Sequence, residues 1–499
     1  MNITLLIIFC LLVGYFSYTS KGNNFFLPDK NSNVSVGFSY GATLMSTSAI
    51  VGFGGLAGWL GYSIFTVMFA LAITLFFTTR YIGPKIYNLN KKIKAQTYVE
   101  LISKHYKSKQ LGILLAIIIV VLVPFYSSAV MIGISKFINV FTGINYELSL
   151  IIFSIIIGLT VLHGGMKSVL KNDAMQGIVL IAGSIIILLY TLGVHIIGTD
   201  YVATLTEAWN TSQDPITGMA KKIGFIGYTS YPVFWSPGWM FLVSLLVFTI
   251  PVGMIALPQL QTRFLLAKNE ESFKQISWYG LLLPMLIVVA FFVAGVTSNS
   301  FFYTTEGLTG VWSAKGVDSL IPKFITEGYP IWIGSVLFIT MLAAAFSTIN
   351  SLMHLMATTV SHDLGLKEKG KVIGVLGVIV FALLISLVFQ KEPAFIARST
   401  SLFFSILGGS LLPCIIGIIL KSSNGKAALM SFAGGTIASL IWIFFFHFKE
   451  AKLFGISQLL FDTPVTMLGR YSFIDTVIPA LVVSSVIFYV HSKFNRSKI

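Results

Sequence analysis

The chain has 499 residues, of which 56% are hydrophobic and only 10% charged, with a formal net charge of +15. Globular domains average about 25% charged residues, so a water-soluble fold of this length is excluded. With it goes nucleic acid as the natural reading of the positive charge. The two cysteines, Cys10 and Cys414, both lie in apolar runs and give neither a disulfide framework nor metal-ligand spacing.

Apolar runs of about 20 residues recur along the chain, the length that carries a helix across a bilayer. They do not alternate as barrel strands would, and lipid leaves helix as the one way to satisfy the backbone. The expected fold is therefore an all-α polytopic membrane protein with about 13 transmembrane helices. Their cores fall at 3–19, 36–58, 62–82, 111–134, 148–163, 174–196, 237–258, 276–297, 331–360, 372–390, 396–420, 427–447 and 474–491. The first follows "MN" directly and shows no small-residue cleavage site, so it reads as an uncleaved helix.

Segment 80–110 holds eight Lys or Arg and one acid, Glu100. The positive-inside rule places it in the cytoplasm. If every span then crosses, about two thirds of the basic residues, Arg263 among them, lie inside. The N-terminus is then outside and the C-terminus cytoplasmic. The outer segments 199–238 and 299–330 are long, aromatic and mixed in charge, as caps over a vestibule would be.

Polar chemistry is concentrated in three spans. Span 36–58 carries Ser46, Thr47 and Ser48 in a row, then Gly52, Gly54, Gly55 and Gly58. Hydroxyls compete for backbone hydrogen bonds and each glycine weakens a helix by about 1 kcal/mol. The helix either breaks midway or packs closely through small residues. Span 237–258 contains Pro251, Gly253 and Pro258, which mark an interruption or an ordinary proline kink. Interrupted helices at corresponding places in two halves point to an inverted-repeat transporter with its site at the midplane.

In span 331–360, Ala344, Ser347, Thr348 and Ser351 follow i, i+3, i+4, i+7 spacing and share one helical face. Breaking the helix at 36–58 frees the carbonyls of Ala42 and Met45, which would otherwise bond the amides of Ser46 and Ala49. If the two helices pack together, neutral oxygens form a cage suited to a hard monovalent cation. Intramembrane acids are scarce, and His163 and His354 read as packing residues, which tilts the coupling ion from H⁺ towards Na⁺.

Five stretches in order resemble the sodium/solute symporter family, whose members include proline, pantothenate, monocarboxylate, sialic acid and glucose carriers. They are "NNFFLPDKN", "ATLMSTSAIVGFGGLAG", "GGMKSVLKNDAMQG", "LPQLQTRFLLAKNEES" and "AAAFSTINSLMHLMATTVSHDL". The resemblance implies a five-plus-five inverted repeat (LeuT-like) core. Its repeats would lie at 36–196 and 237–420, with an extra helix and loop at 1–35, an extracellular loop at 197–236, and two further helices and a tail at 421–499. It implies Na⁺ held by Ala42, Met45, Ala344, Ser347 and Thr348, with Ser46, Asp173 and Ser351 on the sodium path. Proline carriers have an aspartate where this chain has Leu44, which speaks against proline itself. A substrate pocket beside the breaks would be lined by Phe53, Trp59, Tyr126, Ser127, Phe248 and Arg398, where Arg398 either meets a carboxylate or snorkels to the outer surface.

The expected function is sodium-coupled symport of a small organic solute, with a monocarboxylate, amino acid or vitamin-like carboxylate favoured. The alternatives are a sugar or other neutral solute, or proton coupling. Partners are the solute, Na⁺ and the bilayer. A channel would show a filter-like repeat, an enzyme a catalytic cluster, and a sensor an output domain after the last span; the sequence displays none of these.

Overall fold

The computed structural model describes residues 2–19, 25–27, 32–466 and 469–494. The basic tail beyond Phe494, and all of "NNFFLPDKN" except Phe25, Phe26 and Leu27, lie outside the described residues. Within them every regular element is helical. Nine helical runs are long and apolar enough to cross a membrane, and Ile3–Thr19 and Val477–Lys493 are shorter apolar helices.

Two of the long runs turn sharply at a glycine. The run Ser48–Ile93 turns at Gly61, where φ is 62° and ψ −147°. The run Tyr146–Ile196 turns at Gly165, with φ 57° and ψ −157°. Both conformations favour a residue without Cβ. Each run is divided in two at its glycine. Helix starts are capped by the residues that chemistry favours there: Ser108 accepts from the Leu111 amide, Asn145 from Glu147 and Asn424 from Ala427.

The helix Ile331–Thr358 is buried along almost its whole length. It packs against Lys109–Thr142, Tyr146–Tyr190, Lys367–Phe389 and Asn33–Leu44. A span so enclosed keeps its hydroxyls from lipid, which is why Ser347, Thr348, Asn350 and Ser351 are tolerated in it.

Both expected interruptions occur, by different means. Asn33–Leu44 stops at Met45, whose φ and ψ are −91° and 85°. The chain resumes through a widened turn, Ser48–Phe53, into Gly54–Leu60. In the later span the widened turn is Ser244–Thr249, just ahead of Pro251, whose missing amide would leave a regular helix one bond short. Leu257 is extended before Pro258, as residues preceding proline usually are.

Candidate functional site

The break at Met45 and Ser46 changes the partners of the neighbouring carbonyls. Ala49 donates not to Met45, as an unbroken helix would require, but to Ser46 at 3.0 Å. The Ala42 carbonyl accepts the Ser347 hydroxyl at 2.9 Å, and Ser347 also lies 3.1 Å from the Ala344 carbonyl. Thr348 donates to the carbonyl of Thr43, at 3.0 Å. Ala42, Ala344, Ser347 and Thr348 are thus drawn together, all fully buried. Thr43 joins them as a carbonyl that the sequence reading did not single out. Met45 stands at the break itself.

Below this cage lies a buried polar cluster. Ser351 donates to the Ser347 carbonyl at 3.0 Å and its hydroxyl lies 3.1 Å from that of Thr43. Asp173 accepts from Ser39 at 2.5 Å and Thr43 at 3.2 Å, and pairs with Arg263 at 3.2 Å. Arg263 is 1% exposed. It also donates to Ser39, Thr43, Ser351 and the Gln259 carbonyl. Arg263, counted in the sequence among the basic residues on the cytoplasmic side, is thus a buried and paired side chain. Its spokes hold the first core helix, the helix of Asp173 and the helix of Ser351 in one network. The signal available in the sequence was Arg263 itself, set in a predominantly uncharged run after Pro258.

Four of the six residues expected to line a substrate pocket divide between two cavities. Phe53, Tyr126, Ser46 and Ser48 line an inner one of about 40 Å³, with Thr400 and Phe404 opposite. The hydroxyls of Ser46 and Ser48 bond each other, and Tyr126 lines the same cavity. Ser46 therefore faces the pocket rather than the Asp173 cluster. Trp59 and Arg398 line an outer cavity of about 60 Å³. Trp59 donates from its indole to the Ile216 carbonyl at 3.1 Å. Arg398 pairs with Glu450 at 3.1 Å, so its guanidinium meets a carboxylate of the protein itself. Lys449 lines the same cavity, and burial together with Arg398 pushes its ammonium down to about 7. Ser127 is buried, its hydroxyl without a partner among the described residues. Phe248 lies in the widened turn, and neither it nor Ser127 is among the residues lining these two cavities.

His354 bonds the Phe25 carbonyl at 2.9 Å and stacks on the Phe25 ring, while His163 stacks on Tyr18.

Comparison with known proteins places the whole chain. The chain is 22% identical over 486 residues to the sodium/pantothenate symporter of Escherichia coli (strain K12), covering 95% of this chain and 91% of that protein. It is 23% identical over 450 residues to the osmoregulated proline transporter OpuE of Bacillus subtilis (strain 168), covering 87% and 86%. Its fold is shared with a Na⁺-coupled sialic acid symporter solved in a substrate-bound outward-open state, at a TM-score of 0.65 and 15% identity over 98% of each chain. The sequence profile of the sodium:solute symporter family matches residues 25–435. A match over most of the length makes this chain a member of the sodium:solute symporter family, and its activity is sodium-coupled symport.

Proposed function

We propose that Na⁺ binds where the broken first core helix meets the Ser347–Thr348 face, and that the co-transported solute is a small organic carboxylate. One observation carries the ion site: the hydroxyls of Ser347 and Thr348 lie against the carbonyls of Ala42 and Thr43. These oxygens, with Ala344, are neutral, and hard cations take oxygen ligands. On arrival the ion takes the carbonyl lone pairs, and each hydroxyl turns its proton away to present its own oxygen. Met45, freed by the break, supplies a further carbonyl once the hinge adjusts. Asp173 and Ser351 then mark the way towards the inner end, with Arg263 across it.

An ion that bridges two helices favours the arrangement in which they are close. That preference is what couples sodium to transport, since equal affinity for both states would drive nothing. An inward membrane potential adds about 2.3 kcal/mol per charge per 100 mV.

The inner pocket supports the reading of the solute. Its polar groups are the hydroxyls of Ser46, Ser48, Tyr126 and Thr400, and its walls are aromatic and aliphatic. Such a lining suits an apolar body with one hydrogen-bonding end. Pantothenate and proline, named in two relatives, both carry a carboxylate. The two five-helix repeats are read at 36–196 and 237–420, with 1–35, 197–236 and 421–499 added around them. The basic segment 80–110 supports an outer N-terminus and a cytoplasmic C-terminus.

The test is uptake by proteoliposomes from a panel of labelled solutes, with and without an inward sodium gradient. Gradient-dependent accumulation of a carboxylate is expected. Accumulation of neutral solutes alone would overturn the substrate class, and uptake driven equally by a proton gradient without sodium would overturn the ion site.

A further inference from the structure

A cavity of about 950 Å³ opens where the end of Phe395–Ile419, the start of Gly425–Ile441 and the end of Val477–Phe494 meet. Its floor is apolar, with Ile416, Leu420 and Phe488; its mouth is polar, with Lys421, Ser423 and Lys493; no carboxylate of the described residues lines it. We propose that this cavity binds an anionic glycerophospholipid, the headgroup phosphate between Lys421 and Lys493 and an acyl chain along Ile416 and Phe488.

Lysines close to helix C-termini complement the helix dipole. The dipole accounts for their charge but not for the apolar cavity beneath them. Leu420 is 68% exposed and Ile416 43%, at a place where hydrocarbon is the natural neighbour. The segment before Lys109 adds to the positive field. The Tyr106 hydroxyl donates to the Cys414 carbonyl at 2.5 Å and His105 bonds the Ser422 carbonyl at 2.8 Å. These bonds bring Lys107 to the same end of the bundle, while Lys104 is paired with Glu100 at 2.6 Å. Arg496 and Lys498 of the tail carry the same sign, which argues against the tail as occupant. A zwitterionic lipid would set its own cation against the lysines, and a free phosphate would leave the apolar floor unused. Basic pockets between transmembrane helices are known to hold such headgroups.

The test uses the purified full chain in detergent, titrated with dioleoylphosphatidylglycerol, dioleoylphosphatidylcholine or glycerol 3-phosphate, and counts adducts by native mass spectrometry. The anionic lipid is expected to bind at least about tenfold more tightly than the zwitterionic one. Each lysine near the surface is worth roughly fivefold, so the double variant Lys421→Gln/Lys493→Gln weakens binding about 25-fold. Lys421→Arg/Lys493→Arg keeps the charge and keeps binding, which separates lost affinity from misfolding. Lys221→Gln/Lys222→Gln, in the segment read as an outer loop, leaves it unchanged. Equal binding of the two lipids, wild-type affinity in the double glutamine variant, or displacement of the lipid by glycerol 3-phosphate would overturn the proposal. The site lies at the end that the proposed orientation puts in the cytoplasm, but binding in detergent is independent of that orientation and of transport.

Discussion

Ser347 donates its hydroxyl to the carbonyl of Ala42 at 2.9 Å, joining two helices 305 positions apart in the chain. The contact exists because the first core helix stops at Met45 and leaves that carbonyl without its amide. If these oxygens hold sodium, Ser347→Ala and Thr348→Val each remove one ligand without changing the backbone. A lost polar contact of this kind costs about 1–2 kcal/mol, so the half-saturating sodium concentration should rise roughly 5- to 30-fold. Thr348→Ser, which keeps the hydroxyl, should stay near wild type. Initial uptake rates across a sodium series measure this. An unchanged sodium dependence in both deletion variants, with folded protein, would end the assignment.

Arg263 and Asp173 are 2% and 0% exposed at their side chains. Removing one partner leaves the other charged, buried and uncompensated, which costs about 3–5 kcal/mol. Arg263→Gln should therefore lower the thermal unfolding midpoint strongly, and Asp173→Asn added to it should restore much of the loss. The double-variant cycle, read by thermal melts in detergent, checks the coupling. Additive effects would show that the two do not act as a pair.

Much of this site was legible because local rules suffice for it. Helical spacing placed Ala344, Ser347 and Thr348 on one face, and the hydroxyl run at Ser46–Ser48 coincides with the break. The glycines that follow serve a different end. A Cβ on Gly55 would fall 2.1 Å from the Val317 carbonyl, and one on Gly58 2.2 Å from Leu320. They allow close packing, so both readings of span 36–58 describe part of it. Arg263 was not legible as a buried group, because its partners come from three other stretches of chain and a lone arginine after a span reads as an anchor. The gap left between spans at 164–173 is mostly helix, since Lys167, Lys171 and Asp173 lower hydropathy without weakening the helix. Phe248 was placed by its nearness to the expected break, and it lies within the widened turn Ser244–Thr249, where side-chain directions depart from those of a regular helix.

Asp214 ties two outer segments together. It accepts from the Thr217 amide at 2.7 Å, capping Pro215–Lys222, and from Thr309 at 2.9 Å. Burial pulls its carboxyl upward, but hydrogen bonds from Ser212, Thr217 and Thr309 outweigh burial and hold it below its ordinary 3.8. A depressed carboxylate contributes stability that is present above the unfolded value and lost as pH falls through the folded one. Asp214→Asn keeps a capping side chain but removes the charge that strengthens its hydrogen bonds, and should cost about 1 kcal/mol at neutral pH. The difference in melting temperature between wild type and variant should shrink below about pH 4. A difference constant down to the acid limit would show that the charge is not what the hydrogen bonds favour.

Gly55 bears on how the outer face closes. The helix Val317–Gly328 lies against Gly54–Leu60, and its residue Asp318 accepts from the Ile396 amide at 3.4 Å, near the start of Phe395–Ile419. The atom that a Cβ on Gly55 would strike is backbone, so no side-chain rotation relieves it. Overpacking of this kind costs about 1–3 kcal/mol, enough to shift a two-state equilibrium roughly 5- to 150-fold. Gly55→Ala should therefore favour an outer face in which Val317–Gly328 stands away. A cysteine replacing Ala397, which lines the outer cavity with Trp59, reports this in a Cys10→Ser background through its rate of labelling by a membrane-impermeant maleimide. The rate should rise in Gly55→Ala and stay unchanged in Gly14→Ala, where a Cβ meets nothing within 4 Å. Equal rates in all three proteins would show that this contact does not control access to the outer cavity.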